Sequence, residues 1–304
     1  MTETSASSFI IPTQEQVAHY VQELGFTAGP PMLQELSGGH HNISYLCSEE
    51  QFDEDKAIVV RHARQAGGCR DVARQFWRLG EINRVVDRSI VPQALHLGHT
   101  ALGVAISIEE YCPGDSRDFN SLTRSEITTF AATVVAVHDN TSFLFSANSG
   151  EPPNSCGTYA DYLQAMYVES VHNRLRRLPE NAYPKARKLL IAGTERLSRI
   201  MRTHQSLFKG NIFSLQHHDL SPGNIRWHNG HPKVFDWNST HGDRSDELSY
   251  IFVNNHTTAY FEEQFLADYC RLSPLPDNDA VIERLPANKL NNQLDDMAWG
   301  MTMH

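Results

Sequence analysis

The sequence predicts an α+β chain in two parts, a strand-rich first third and a helix-rich remainder. Three observations predict it. Buried-type and alternating apolar runs cluster before residue 112, which is strand patterning. After residue 113, apolar residues recur mostly at helical spacing. Within that second part, the stretch from His217 to Trp237 breaks the helical pattern with a polar loop and a hairpin built on Asn229-Gly230.

The elements follow in order. Thr13 and Gln16 form a capping-box pair ahead of Val17, Tyr20, Val21 and Leu24, which predicts an amphipathic helix. Residues 33–47 read as strand, turn and strand, with Gly38-Gly39 at the turn; the spacing is neither a Walker loop nor a dinucleotide fingerprint. Residues 57–61 are a buried-type strand ending in Arg61. Residues 71–85 are helical, with Val72, Phe76, Leu79 and Ile82 on one face. Two more strands, 90–95 and 104–111, lead to Pro113-Gly114, where the boundary between a 1–112 and a 113–304 domain is expected.

Beyond it, Ile127, Phe130, Ala131, Val134, Val135 and His138 mark a helix over 123–140, with His138 read as a hydrogen-bonded core residue. A loop over 146–158 precedes helices at 159–178 and 184–207, broken at Pro179. The second is basic, which is the composition of a solvated face or of one meeting an anion. Residues 250–269 form one helix with an aromatic stripe, usually a core feature.

Composition bounds the function. The 304 residues suffice for one large or two modest domains, and 40% hydrophobic with 20% charged residues is ordinary for a globular protein. A net charge of -10 argues against general nucleic-acid binding. Five scattered Cys without a Cys-x-x-Cys pair read as free thiols, and the sixteen His show no His-Glu-x-x-His spacing, so zinc is not expected. No apolar run is long enough to span a bilayer and no signal pattern opens the chain, so a cytoplasmic protein without membrane partners is expected.

The chemistry concentrates in the hairpin region. Ser221-Pro222-Gly223 is turn chemistry, residues 224–228 alternate like a strand, and Val234-Phe235 delivers Asp236. A loop thus carries Asp219 and Asn224, and the hairpin returns a second Asp. Phosphoryl transfer needs such a set: a carboxylate to orient or accept the proton of an attacking hydroxyl, and hard oxygen ligands for Mg²⁺ on a triphosphate. The five-residue interval from Asp219 to Asn224 is that of the kinase catalytic loop.

These residues carry a family resemblance. His217-His218-Asp219-Leu220-Ser221-Pro222-Gly223-Asn224-Ile225, with Val234-Phe235-Asp236-Trp237 and the Gly242–Leu248 run, resembles the aminoglycoside phosphotransferase and choline kinase superfamily. The middle His218 departs from the usual His-Gly/Asn-Asp. Leu36-Ser37-Gly38-Gly39-His40-His41-Asn42-Ile43-Ser44-Tyr45 is similar to the choline-kinase glycine turn. The resemblance implies a bilobal protein-kinase-like fold with ATP between a β-rich N-terminal lobe and a helical C-terminal lobe. It implies Asp219 as catalytic base, Asn224 and Asp236 as Mg²⁺ ligands, and His217 and Asp246 as residues that brace the loop. It places Ser37, Gly38, Gly39, Asn42 and Arg61 on the nucleotide phosphates, and the Glu109–Tyr111 segment at the adenine.

The acidic partner of Arg61 is expected on the helix that follows it, from Asp71, Gln75 or Glu81, with Glu81 favoured. Trp299, Tyr260 and Asp243 are the candidate acceptor contacts; for Asp243 a helix-cap role competes. The expected activity is ATP- and Mg²⁺-dependent phosphorylation of a small cationic alcohol, choline- or thiamine-like, or of an aminoglycoside-like sugar. The alternative is a non-catalytic pseudokinase that binds nucleotide as a regulatory module.

Overall fold

The structure, a computed structural model, describes residues 10–36, 42–49, 53, 56–65, 67–147, 152–179, 182–238 and 240–301. The chain divides into two compact units, Met1–Pro113 with Lys233–Asp236, and Gly114–Pro232 with Trp237–His304.

The first unit is built on helix α1 (Gln14–Glu23), strands β1 (Met32–Leu36), β2 (Asn42–Ser48) and β3 (Ile58–Ala63), helix α2 (Gly68–Ile82), and strands β4 (Ala94–His99) and β5 (Ala105–Glu110). The five strands form an antiparallel sheet in the order β1-β2-β3-β5-β4. The Thr13–Gln16 capping box forms as the sequence predicts. Strand alternation decides the rest. Ile58 and Val60 of β3 join Val17 and Val21 of α1 in one core, while Ala63 joins Val72 of α2 on the other face. Arg61 shares that second face, being two residues from Ala63. The Lys233–Asp236 segment belongs to this unit: the Val234 N–H donates to the Ile90 carbonyl, and Lys233 pairs with Glu110 at 2.6 Å. The sequence boundary had assigned it to the second domain.

The second unit is mainly helical. Helix α3 (Arg124–His138) leads to strand β6 (Thr141–Ser142) and a ribbon of β7 (Leu144–Phe145) and β8 (Ser155–Cys156). Helix α4 (Tyr159–Leu163) runs through a π segment, Gln164–Val168, into α5 (Glu169–Arg177), and α6 (Pro184–Thr203) follows. Strand β9 (Phe213–Gln216) is wholly buried and lies between β6 and the later β12. Strands β10 (Ile225–His228) and β11 (His231–Val234) form the predicted hairpin, and both Asn229 and Gly230 adopt positive φ, as its turn requires. Strand β12 (Thr240–Gly242), α7 (Arg244–Asn254), α8 (Ala259–Leu272) and α9 (Asn278–Gly300) complete the unit.

One expectation is corrected here. The single helix over 250–269 is two helices, because the Thr258 hydroxyl caps the Phe261 N–H and starts α8 afresh after His256 at φ 50°. The closing helix, α9, has 23 residues. Its buried face is largely polar, with Arg284, Asn288, Asn291 and Asn292 among Leu285, Leu294 and Ala298, so no apolar period announced it. The aromatic stripe is core in the main: Phe261 and Phe265 stack on each other, with Phe119 and Phe130 against them. No described helix is long and apolar enough to cross a membrane.

Candidate active site

In the second unit, β9 delivers His217, 1% exposed, into a sharp loop. His218 adopts φ 66°, a left-handed conformation that costs a side-chain-bearing residue free energy. That is why Gly or Asn is the usual residue between the His and the Asp of such a loop. The His218 N–H donates to Glu247 Oε1 at 2.7 Å, and the Asp219 N–H donates to His217 Nδ1 at 3.2 Å. The ring of His217 lies 4.8 Å from that of Trp237.

Asp219 is half-buried and held from two sides. The Tyr250 hydroxyl donates to Oδ1 at 2.6 Å, and Asn224 Nδ2 donates to Oδ2 at 3.1 Å and to the Asp219 carbonyl at 2.8 Å. Burial and the Asp219 carboxylate push the Tyr250 hydroxyl well above its ordinary pKa, so it stays a donor. With its nitrogen committed to Asp219, Asn224 keeps its Oδ1 free of hydrogen bonds among the described residues.

The bracing acid of the loop is corrected by one position. Asp246 accepts hydrogen bonds from Tyr162 at 2.6 Å, Tyr167, and Asn292 at 3.2 Å. Burial pushes its carboxyl up. Its neighbour Glu247 binds the His218 N–H and, through Oε2, His138 Nε2 at 3.0 Å. Burial alone would raise the Glu247 carboxyl; the bond and charge of His138, the charge of His217 and the His218 N–H outweigh it and hold it below the usual range. His138 in turn meets the Tyr269 hydroxyl at 2.8 Å, so it is a hydrogen-bonded core residue.

Asp243 cannot touch an acceptor. It is fully buried, caps α7 through the Ser245 N–H, and makes a bidentate pair with Arg284 at 2.7 and 2.9 Å. Trp299 and Tyr260 are 50% and 58% exposed, and neither lines a described cavity. A cavity of about 800 Å³ lies instead beside His218, between the π segment and α5 on one side and Asp295 on the other. π segments inside α-helices recur at functional sites.

In the first unit, Arg61 pairs with Glu109 at 2.7 Å and with Asp236 Oδ1 at 3.1 Å. Burial opposes the guanidinium charge, but the two carboxylates outweigh it. Burial pushes the Glu109 carboxyl up, and Arg61 only partly reverses that. The expectation of Glu81 is thus overturned: Glu81 is exposed on α2, whereas the β3–β5 register sets Arg61 opposite Ser107, two residues from Glu109 on the same face. Glu109 also sits inside β5 with a strand on each side, and its carboxylate serves Arg61. The Tyr111 N–H donates to the Ala57 carbonyl at 3.2 Å. Asn42 donates to Gln75 at 3.1 Å, tying the start of β2 to α2. Asp236 has φ 59° and a side chain 40% exposed. Ser37, Gly38 and Gly39 lie outside the described residues.

Tyr250 and Glu247 escaped the sequence reading. Glu247 lies within the recognised acidic run and Tyr250 stands three residues after it, one turn along α7, so a helical projection would have put the two on one face.

A five-stranded antiparallel unit followed by a helical unit with an Asp-bearing loop defines the protein-kinase-like class of fold. Among solved structures, the chain is similar to a thermostable mutant of aminoglycoside phosphotransferase APH(4)-Ia in ternary complex with AMP-PNP and hygromycin B. That match has a TM-score of 0.66 and 18% identity, and covers 95% of this chain and 92% of the other. Choline kinase from Cryptosporidium parvum Iowa II matches with a TM-score of 0.62 and 13% identity, over 95% and 89% of the two chains. Wild-type aminoglycoside 2′-phosphotransferase-IIIa, as its GDP complex, matches with a TM-score of 0.61 and 13% identity, over 96% and 93%. At such identities the likeness establishes the fold. No protein-family model matches the sequence, and neither does any curated protein.

Proposed function

We propose that this protein is a small-molecule kinase that moves the γ-phosphoryl group of ATP to a hydroxyl of an acceptor bearing an ammonium group. The observation that carries the reading is the fixed carboxylate of Asp219. Tyr250 and Asn224 orient it, on a loop whose unusual backbone Glu247 holds. A carboxylate so placed accepts or orients the proton of an attacking hydroxyl, and phosphoryl transfer asks little more than positioning and charge stabilisation. The fold likeness supports a phosphotransferase-type reaction.

Asn224 and Asp236 are the proposed Mg²⁺ ligands. The uncommitted Asn224 Oδ1 and the part-exposed Asp236 carboxylate are hard oxygen donors of the kind Mg²⁺ prefers, and Mg²⁺ usually takes one or two protein ligands beside substrate phosphates. The metal, when bound, neutralises charge on the phosphates. Arg61 and the 37–42 turn are the proposed phosphate contacts, and the acid Glu169 at the cavity is the proposed contact of the ammonium. The site suits a cytoplasmic enzyme supplied with ATP.

Thermal stabilisation by ATP with and without Mg²⁺, followed by ADP release over a panel of amino alcohols and amino sugars, tests the reading. Mg²⁺-dependent stabilisation and acceptor-dependent ADP release are expected. Nucleotide binding with no acceptor-dependent turnover would instead describe a nucleotide-sensing module.

A further inference from the structure

The cavity beside His218 is not the pocket of a simple cation. Its wall is one face of α5, where Glu169, Asn173 and Arg177 recur every four residues, with Ser170 and Arg174 alongside. The face therefore runs from an acid through an amide to a cation, and the ends are about 12 Å apart along the helix axis. Arg174 is already engaged with Asp295 at 3.6 Å. Glu169 and Arg177 make no ion pair among the described residues, and both are exposed at the cavity. Ala165 and Met166, before Glu169, and Leu178, after Arg177, supply apolar surface at the two ends.

The charges that line the cavity balance, with Glu169 and Asp295 against Arg174 and Arg177.

We propose that the acceptor is a zwitterion: a small alcohol carrying an ammonium group, received by Glu169, and a carboxylate, received by Arg177. The inference rests on the kinase reading and narrows it. Each group of the ligand finds an opposite charge already in place, and a singly charged alcohol leaves one end of α5 unmatched. A guanidinium takes a carboxylate through two parallel N–H donors, which adds orientation to attraction. His218, the residue before Asp219, lines the same cavity, and the acceptor hydroxyl has to lie at that end.

Matched acceptors test this by ADP release. 4-Amino-3-hydroxybutyrate is compared with 1-amino-2-propanol and 3-hydroxybutyrate, and L-carnitine with (2-hydroxypropyl)trimethylammonium and 3-hydroxybutyrate, each pair lacking the carboxylate or the ammonium. At least one zwitterion is expected to exceed both of its partners by about tenfold or more in kcat/KM, the return on one charge-assisted contact. Arg177→Gln should then raise the KM for that zwitterion about 10- to 100-fold while leaving the KM for its amino alcohol within about twofold; Glu169→Gln should do the reverse with the hydroxy acid. Both side chains are exposed, so neither variant threatens folding. Phosphorylation of the amino alcohols in preference to the zwitterions, or of neither zwitterion, overturns the proposal. Calorimetry of MgATP binding, run in parallel, separates that outcome from failure of the kinase reading, in which no nucleotide binds.

Discussion

Helices α7 and α5 both carry charged side chains toward the working part of the second unit, and they use them in opposite ways. On α7, Arg244, Asp246 and Glu247 are buried and committed, as is its cap Asp243: each meets two or more partners. On α5, Glu169 and Arg177 stand exposed without ion-pair partners among the described residues. Buried charge that is fully paired fixes geometry, because the alternative is an uncompensated ion in a low dielectric. Exposed charge contributes almost nothing to stability and is free to meet a ligand. Substitutions on α7 should therefore damage the fold and the turnover rate, and substitutions on α5 should change only acceptor preference.

The largest effect should come from breaking the Asp243–Arg284 pair. Arg284→Ala leaves a fully buried carboxylate without its cation, and a loss of about 3–5 kcal/mol is expected by chemical denaturation. Retention of wild-type stability would show that the pair is relaxed or hydrated in solution. Next is Glu247→Ala, which takes the partner from the His218 N–H and from His138 Nε2. It should cost about 1–3 kcal/mol and lower kcat more than it changes KM.

The same carboxylate sets an acid limit. Its folded-state pKa lies below the ordinary 4.5, so its contribution is complete above about pH 4.5 and fades as pH falls through the depressed value. Glu247→Gln should flatten that part of the stability–pH curve, measured by thermal melts between about pH 3 and 6.

Tyr250→Phe is expected to be milder, with about a tenfold fall in kcat and at most about 1 kcal/mol in stability, since Asn224 still holds Asp219. Arg177→Gln is the smallest in stability, within about 0.5 kcal/mol.

Much of this was legible in the chain, for reasons that can be named. The Thr13 cap, the Asn229-Gly230 turn and the buried strand that carries Arg61, which runs on to Ala63, are local signals, and local chemistry formed them. The Asp219–Asn224 pairing was readable because both residues lie on one short loop. Partners set by register or by burial were not readable. Glu109 reaches Arg61 diagonally across two strands, so no spacing along the chain points to it. Glu247, and not Asp246, holds the His218 N–H because the rotation of α7 turns one acid to the loop and the next to Tyr162 and Tyr167. The length of α9 was masked by asparagines that are buried because they bind α7, as Asn288 does Ser245 and Asn292 does Asp246. The cavity on α5 lay within residues 159–178, which read only as a helix ahead of a basic one.

The most direct test of the whole account is the turnover of Asp219→Asn. This change keeps the shape of the side chain and removes its charge. With MgATP and an accepted alcohol, kcat should fall by about 100- to 10,000-fold, while MgATP affinity measured by calorimetry stays within about threefold. An Asp219→Asn protein that phosphorylates its acceptor at the wild-type rate would contradict the central claim.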